Sequence, residues 1–231
     1  MSKQIVITGA SRGIGNRTSV KLAEQGHQVI AISRSKELLD QLEEDYPNKI
    51  TALPLDITDN SAGEKIAQYL KDKSLKIDGL VHNAGLLINK PFTDQTRSDW
   101  QKQFEVNLMA PALLTKNLQP FFNTGAHVVT ISSMGGFQGS SKFPGLSAYS
   151  ATKGGLSILT ECLAAEFADD KISCNSLCLG AVQTEMLEQA FPGIEAPVTP
   201  EEIAEYLAEF ILNGHKFYNG QILPVTLGDP G

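Results

Sequence analysis

Cysteine is scarce in this chain and odd in number: Cys162, Cys174 and Cys178 stand with no cluster of histidines around them. That count offers no disulfide framework and no cysteine-ligated metal centre, so all three are expected as buried apolar filler. Cys174 and Cys178 share parity in a strand-like run over residues 172–179, which would turn them to one side of a sheet. No apolar stretch is long enough to span a bilayer. Basic excess is missing too: 19 Lys+Arg stand against 26 Asp+Glu, a net charge of -7. That balance argues against nucleic acid or an anionic membrane as partner. Internal repeats, low-complexity tracts and linkers are likewise missing. A first strand beginning at about residue 4 leaves no room for a signal peptide, and a cytoplasmic protein is expected.

What is present fits one well-buried globular domain: 231 residues, 42% hydrophobic and 19% charged. Strand-like runs fall at about 4–8, 28–33, 50–55, 78–82, 126–132, 172–178 and 221–225. Helical patterns lie between them, at about 13–25, 35–45, 60–72, 97–122, 148–168 and 200–212. Such alternation predicts an α/β fold, a doubly wound and mostly parallel sheet of about seven strands with helices on both faces. Ligands of such sheets bind beyond the C-terminal ends of the strands. The segments following those ends are Gly9–Gly15, Ser33-Arg34, Asp56-Ile57, Asn83-Ala84-Gly85, Ser132-Ser133 and Gly180–Thr184.

Two of these regions carry chemistry of their own. The apolar run Ile5-Val6-Ile7 enters the turn Thr8-Gly9-Ala10-Ser11-Arg12-Gly13-Ile14-Gly15, and a helical pattern leaves it. Glycines let backbone approach a pyrophosphate, and the helix beyond offers unpaired N–H groups and the positive end of its dipole. A tight turn without a ligand is the plainer alternative, and nucleotide binding outweighs it because the motif opens an alternating chain. Tyr149 and Lys153 lie four residues apart, on one face of a helix. A phenol titrates near ~10, and a neighbouring ammonium stabilises its anion. The pair is therefore a device for proton transfer, although an ordinary helix pair shares the spacing.

Taken together, these pieces make the chain resemble the short-chain dehydrogenase/reductase family over essentially its whole length. The matching residues are the turn from Thr8 to Gly15, Asp56, His82-Asn83-Ala84-Gly85, Asn107, Ser132-Ser133, Tyr149 with Lys153, and Asn175 followed by Gly180–Thr184. The resemblance implies a single-domain Rossmann fold over 1–231 and a set of roles. Tyr149 would be the catalytic acid/base, and Lys153 would lower its pKa and hold the nicotinamide ribose. Ser133 would orient the carbonyl oxygen by its place in the Ser-Ser-x-x-Gly pattern, with Ser132 as the alternative because Gln138–Pro144 reads as a small insertion before Tyr149. Asp56, with Ile57, would meet the adenine, an N-cap or turn residue being the alternative for Asp56; Asn83, Ala84 and Gly85 would line the adenosine ribose and steady the sheet. Gly180, Val182 and Thr184 would hold the carboxamide, with Leu179 where proline is usual in the family. His82, where asparagine is more frequent, is expected as a histidine bonded within the sheet.

Asn107 also has a reading from its own surroundings. Pro111 lacks an N–H, so the carbonyl of residue 107 loses its helical partner. A kink there would offer that carbonyl to a water, and the resemblance adds a water relay to the lysine. For the cofactor, the end of the second strand carries Ser33-Arg34-Ser35-Lys36 and no acid to bind a ribose diol. Arg34, together with Arg12 and Ser11 in the glycine turn, suits a phosphate, so NADP(H) is expected; solvated loop charges are the alternative for Arg34 and Lys36.

The expected function is an NADPH-dependent reductase of a ketone or 3-oxoacyl carbonyl. A hydroxy-compound dehydrogenase running oxidatively and a non-catalytic NADP(H)-binding regulator are the competing readings. The apolar residues Met134, Phe137, Phe143, Met186, Leu187 and Phe191 are candidates for the substrate pocket or for packing. The lid at about 185–197 is short, which predicts an open site. A homodimer or homotetramer is expected, with Leu156, Leu159 and Leu163 facing either a partner or the sheet.

Overall fold

The computed structural model describes residues 2–227. β-Branched runs form the strands, and each helix turns an apolar stripe inward. In chain order the elements are β1 (Gln4–Thr8), α1 (Gly13–Glu24), β2 (Gln28–Ser33), α2 (Lys36–Asp45), β3 (Ile50–Pro54), α3 (Ala62–Asp72) and β4 (Ile77–His82). Then follow α4 (Arg97–Phe104), α5 (Ala110–Leu118), β5 (Phe122–Ser133), α6 (Ser147–Glu166), β6 (Ser173–Leu179), α7 (Glu185–Ala190), α8 (Pro200–Asn213) and β7 (Ile222–Val225). The strands form one seven-stranded sheet in the order β3-β2-β1-β4-β5-β6-β7, parallel throughout.

Both faces of the sheet are covered, as a parallel sheet requires. Along β1, Ile5 and Ile7 enter one core with Leu22, Leu39 and Leu207 of α1, α2 and α8. Val6 enters the other, with Ile66, Leu114 and Ala164 of α3, α5 and α6. β1 pairs with both β2 and β4, so the winding direction reverses there and a crevice opens beyond the strand ends. No helix among the described residues is long and apolar enough to cross a membrane.

The α/β alternation, the strand count and the two-sided layering agree with the sequence reading. The single helix expected over about 97–122 does not form. Glu105–Met109 is a π-turn between α4 and α5, in which the Ala110 N–H bonds the Glu105 carbonyl. Pro111, which has no N–H to give residue 107, explains the break in register. β5 begins at Phe122, with a register shift against β4 between Ile77 and Gly79. Cys174 and Cys178 are buried but Cys162 is exposed on α6. Leu156 is buried and Leu163 packs against the core, so those α6 leucines serve the sheet. The exposed apolar side chains on these helices are instead Phe104, Leu113 and Ile158.

At the edge opposite the crevice, His127 of β5 is buried with its tautomer dictated by its partners. Its Nδ1 donates to the Ile211 carbonyl at 3.1 Å, and its Nε2 accepts from the Asn175 amide at 2.9 Å. Asn175 cannot turn over, because its oxygen accepts from the Gln221 N–H and its nitrogen also donates to the Tyr218 carbonyl. Asn175 thus ties β6 to the entry of β7 and stands away from the crevice. Burial pushes the His127 pKa from 6.5 down to about 4. The unfolded chain takes up this proton near 6.5 and the folded chain only near 4, so the stabilisation is complete above 6.5 and is lost as pH falls toward 4. Urea midpoints are expected to fall across that window and to fall less steeply in His127→Gln. An identical slope in the variant would mean that His127 titrates normally.

Candidate active site

One cleft of about 890 Å³ runs along the C-terminal edge of the sheet and gathers residues from every segment that follows β1 to β6. At its centre the turn after β1 lies against the end of β4. Gly9 has φ +70, and a Cβ there would come within 2.8 Å of the Ala84 backbone. A Cβ at Gly15 would collide with the Asn83 amide and the Gly9 carbonyl. The Thr8 hydroxyl donates to the Val81 carbonyl and accepts from the Asn83 and Ala84 N–H groups, each at 3.2 Å. The Asn83 amide donates to the Thr8 and Gly9 carbonyls at 3.0 and 3.1 Å. Asn83 therefore clamps the turn with its side chain. Arg12 occupies the N-cap of α1 in extended conformation without a side-chain cap, and the first turn carries no acid. Ser11, Gly13 and Ile14 line the cleft beside it, where the first N–H groups of α1 favour an anion.

Past this turn the cleft is bordered by Ser33, Arg34 and Ser35 after β2 and by Asp56 and Ile57 after β3. Arg34 is exposed and has no hydrogen-bond or ion-pair partner among the described residues. Arg12 does have one: its guanidinium meets Glu185 at 2.6 Å, which ties it to α7. Asp56 accepts from the Thr58 N–H at 3.0 Å and the Thr58 hydroxyl at 2.8 Å, so one carboxylate oxygen closes a turn.

The other end of the cleft has a polar, buried floor. Tyr149 and Lys153 rise from α6 on one face, with the Lys153 Nζ 5.9 Å from the Tyr149 ring centroid. Lys153 is only 3% exposed, and its Nζ donates to the Ile131 carbonyl at 2.7 Å. Burial lowers its pKa to about 8. The same burial pushes the Tyr149 phenol up to about 12, with the neighbouring Ser133 hydroxyl working against the shift. The phenol thus lies above its ordinary value and not below it, because burial disfavours its anion.

The two serines divide their tasks. Ser132 donates to the Lys153 carbonyl at 2.9 Å and is buried. Ser133 accepts from the Gly135 N–H and stands beside the phenol. Asn107, in the π-turn, accepts from the Leu86 N–H at 2.8 Å and donates to the Leu86 carbonyl and the Thr152 hydroxyl. Gly85 fits between Asn107 and Lys153, since a Cβ there would lie 3.6 Å from the Asn107 oxygen and 3.5 Å from Nζ. His82 bonds Thr115 of α5 at 2.7 Å rather than a strand, and burial beside Lys153 lowers its pKa to about 3.

Over the floor lies a roof. Gly180 leaves β6 so close to Thr226 that a Cβ would meet its hydroxyl at 2.5 Å. Val182 is buried in the core, and the Thr184 hydroxyl caps α7 by accepting from the Leu187 N–H. α7 is fastened by the Arg12–Glu185 pair, by the Asn89 amide donating to the Ala190 carbonyl at 2.8 Å, and by contact of the Phe143 and Phe191 rings at 6.5 Å. α7 therefore spans part of the site, while Phe143, Met186 and Ile194 along it stay exposed. Leu86, Asn89 and Ile194 line the cleft, and no spacing in the sequence marked them, because they come from the β4–α4 loop and the segment after α7.

Residues 3–195 match the family described as short chain dehydrogenase. The chain is 29% identical to a 3-oxoacyl-[acyl-carrier-protein] reductase of Thermotoga maritima, covering 98% of this chain and 97% of that protein. It is 32% identical to an L-xylulose reductase of Caenorhabditis elegans over 80% of this chain and 73% of that one. Among solved structures, a 3-ketoacyl-(acyl-carrier-protein) reductase from Brucella melitensis complexed with NADH shares the fold, with a TM-score of 0.89 at 24% identity and 98% of each chain covered.

The contact of Gly9 with Ala84 makes a direct demand on sequence. Gly9→Ala must adopt a left-handed backbone, costing about 1–2 kcal/mol, and must push against backbone as well. Chemical denaturation should show at least that loss, and an unchanged midpoint would mean that the turn is not held as described.

Proposed function

The chain belongs to the short-chain dehydrogenase family, and on that premise we propose that it is an NADPH-dependent reductase acting on the carbonyl of a ketone or 3-oxoacyl compound. The observation that carries this reading is the meeting of Tyr149, Ser133 and Lys153 on the buried floor of a cleft whose far end presents the unpaired Arg34.

The residues present fit a phosphate-bearing dinucleotide. Gly9 and Gly15 leave no room for a side chain where backbone must come close, and the start of α1 is neither capped by a side chain nor acidic. Gly9, Ser11, Gly13, Ile14 and Gly15 would hold the pyrophosphate, with Arg12 beside them. Arg34 would hold the phosphate that separates NADPH from NADH, by charge and paired donors. Asp56 with Ile57 would border the adenine, Asn83, Ala84 and Gly85 the ribose, and Gly180, Val182 and Thr184 the carboxamide. When bound, the reduced nicotinamide supplies the hydride.

The protein supplies the proton and the geometry. Held neutral by burial, the Tyr149 phenol is in the form that donates to a carbonyl oxygen as negative charge builds there. Ser133 would hold the same oxygen. Lys153, brought to about 8, gives up a proton more readily than a solvated lysine and can restore the phenol. Asn107 fixes the loop at Leu86 and the helix at Thr152, and its relay to Lys153 belongs to the same proposal. Raised to about 12, the phenol stays protonated at neutral pH, with its proton available to the substrate oxygen.

The relatives named above act on an acyl-carrier thioester and on a sugar, so likeness alone does not choose the carbonyl. A cytoplasmic homodimer or homotetramer completes the reading, with Phe104, Leu113 and Ile158 as the apolar face that a second subunit would cover.

Tyr149→Phe should lose about 10²–10⁴-fold in turnover while NADPH binding by calorimetry stays within a few-fold; full turnover would remove Tyr149 from the chemistry. Arg34→Asp should weaken NADPH by roughly tenfold or more, about 1.4 kcal/mol, and improve NADH. Titration of both cofactors against the variant decides this, and an unchanged preference takes Arg34 out of the site.

A further inference from the structure

The substrate end of the cleft leaves apolar surface uncovered. Phe143 is 38% exposed, Met186 38% and Ile194 48%, and all three line the same cleft although they come from three separate segments. Phe143 contacts Phe191 across the roof, and Met134 and Leu146 are buried beneath. Apolar surface converging on one concavity marks a place where something apolar sits.

Arg12 in the cleft wall, and Lys90 and Lys142 next in sequence to the lining residues Asn89 and Phe143, are already engaged from within. Arg12 meets Glu185 at 2.6 Å and Lys90 meets Asp99 at 3.1 Å. Lys142 donates to the Phe137 carbonyl at 2.7 Å and the Ser140 carbonyl at 2.9 Å. α7 itself carries the acids Glu185 and Glu188 in its first turn, and Glu185 lines the cleft. A carboxylate or phosphate arriving here would meet acids and engaged cations, while an uncharged apolar group would cover Phe143, Met186 and Ile194.

We propose that the substrate is an uncharged ketone carrying an apolar group of aromatic size, and neither a free keto acid nor a thioester on a phosphate-bearing carrier. This rests on the reductase reading and narrows it. A charged substrate would find these cations already engaged and two acids beside them, whereas burying apolar area needs no rearrangement.

The test is NADPH oxidation by the intact protein with ethyl benzoylacetate, ethyl acetoacetate, acetoacetate and acetoacetyl-coenzyme A, alongside calorimetry of NADPH. Ethyl acetoacetate is expected to exceed both acetoacetate and its coenzyme A thioester in kcat/KM by at least about tenfold, and ethyl benzoylacetate to exceed ethyl acetoacetate by a similar factor, as apolar pockets discriminate. In Phe143→Ala the benzoyl-to-aceto ratio should drop by about tenfold. Equal or better turnover of the acid or the thioester overturns the inference and leaves the reductase standing. Bound NADPH with neither ester reduced overturns it as well. Failure of NADPH to bind sinks the reductase reading, and this inference with it.

Discussion

Burial of the Lys153 ammonium against one strand carbonyl is the constraint on which the site depends. A charge taken out of water must be paired or shed, and here the Ile131 carbonyl is the partner that the structure shows. Helix and strand are locked together around it. Ser132 donates to the Lys153 carbonyl, and Gly136 passes so near that a Cβ would come within 2.6 Å of the Gly154 nitrogen. The packing that desolvates the lysine desolvates Tyr149 too, so one geometric fact lowers one pKa and raises the other. The result is a neutral phenol beside an ammonium that yields its proton more easily.

The sheet supplies the frame for this. Covering both faces leaves only the strand ends for a ligand, and the reversal of winding between β1 and β4 sets where the crevice opens. Short polar side chains then stitch the strand ends together. Thr8 and Asn83 fasten the glycine turn to β4, and Asn107 fastens the loop after β4 to α6. These bonds order the floor before any ligand arrives, which is what the proposed proton transfer needs. The roof is built differently, from a half-exposed ion pair, one amide and two aromatic rings. Exposed pairs contribute little, so the roof is the more loosely held half of the cleft.

Much of this was legible in the chain. Period and turn residues placed all seven strands to within a few residues, and the glycine turn and the Tyr149/Lys153 pair both line the one cleft. Pro111 signalled a disturbance near Asn107, although not that it would take the form of a π-turn. What escaped reading depended on partners distant in sequence. Arg12 and Glu185 are far apart in the chain, and so are Asn89 and Ala190; nothing local joins them. Leu156 could face sheet or partner by pattern alone, and only packing turned it inward.

By itself the sequence determined the class of fold and the identity of the chemical groups, because hydrophobic period, glycine and proline act over a few residues. Only the tertiary structure decided how those groups behave. The pKa of Tyr149 is set by how much water the surrounding elements exclude. The employment of Arg12, the tautomer of His127 and the partial covering of the cleft are set by which distant segments the sheet brings within hydrogen-bonding reach. Desolvation and long-range contact are properties of the packed chain, and no spacing in the sequence encodes them locally.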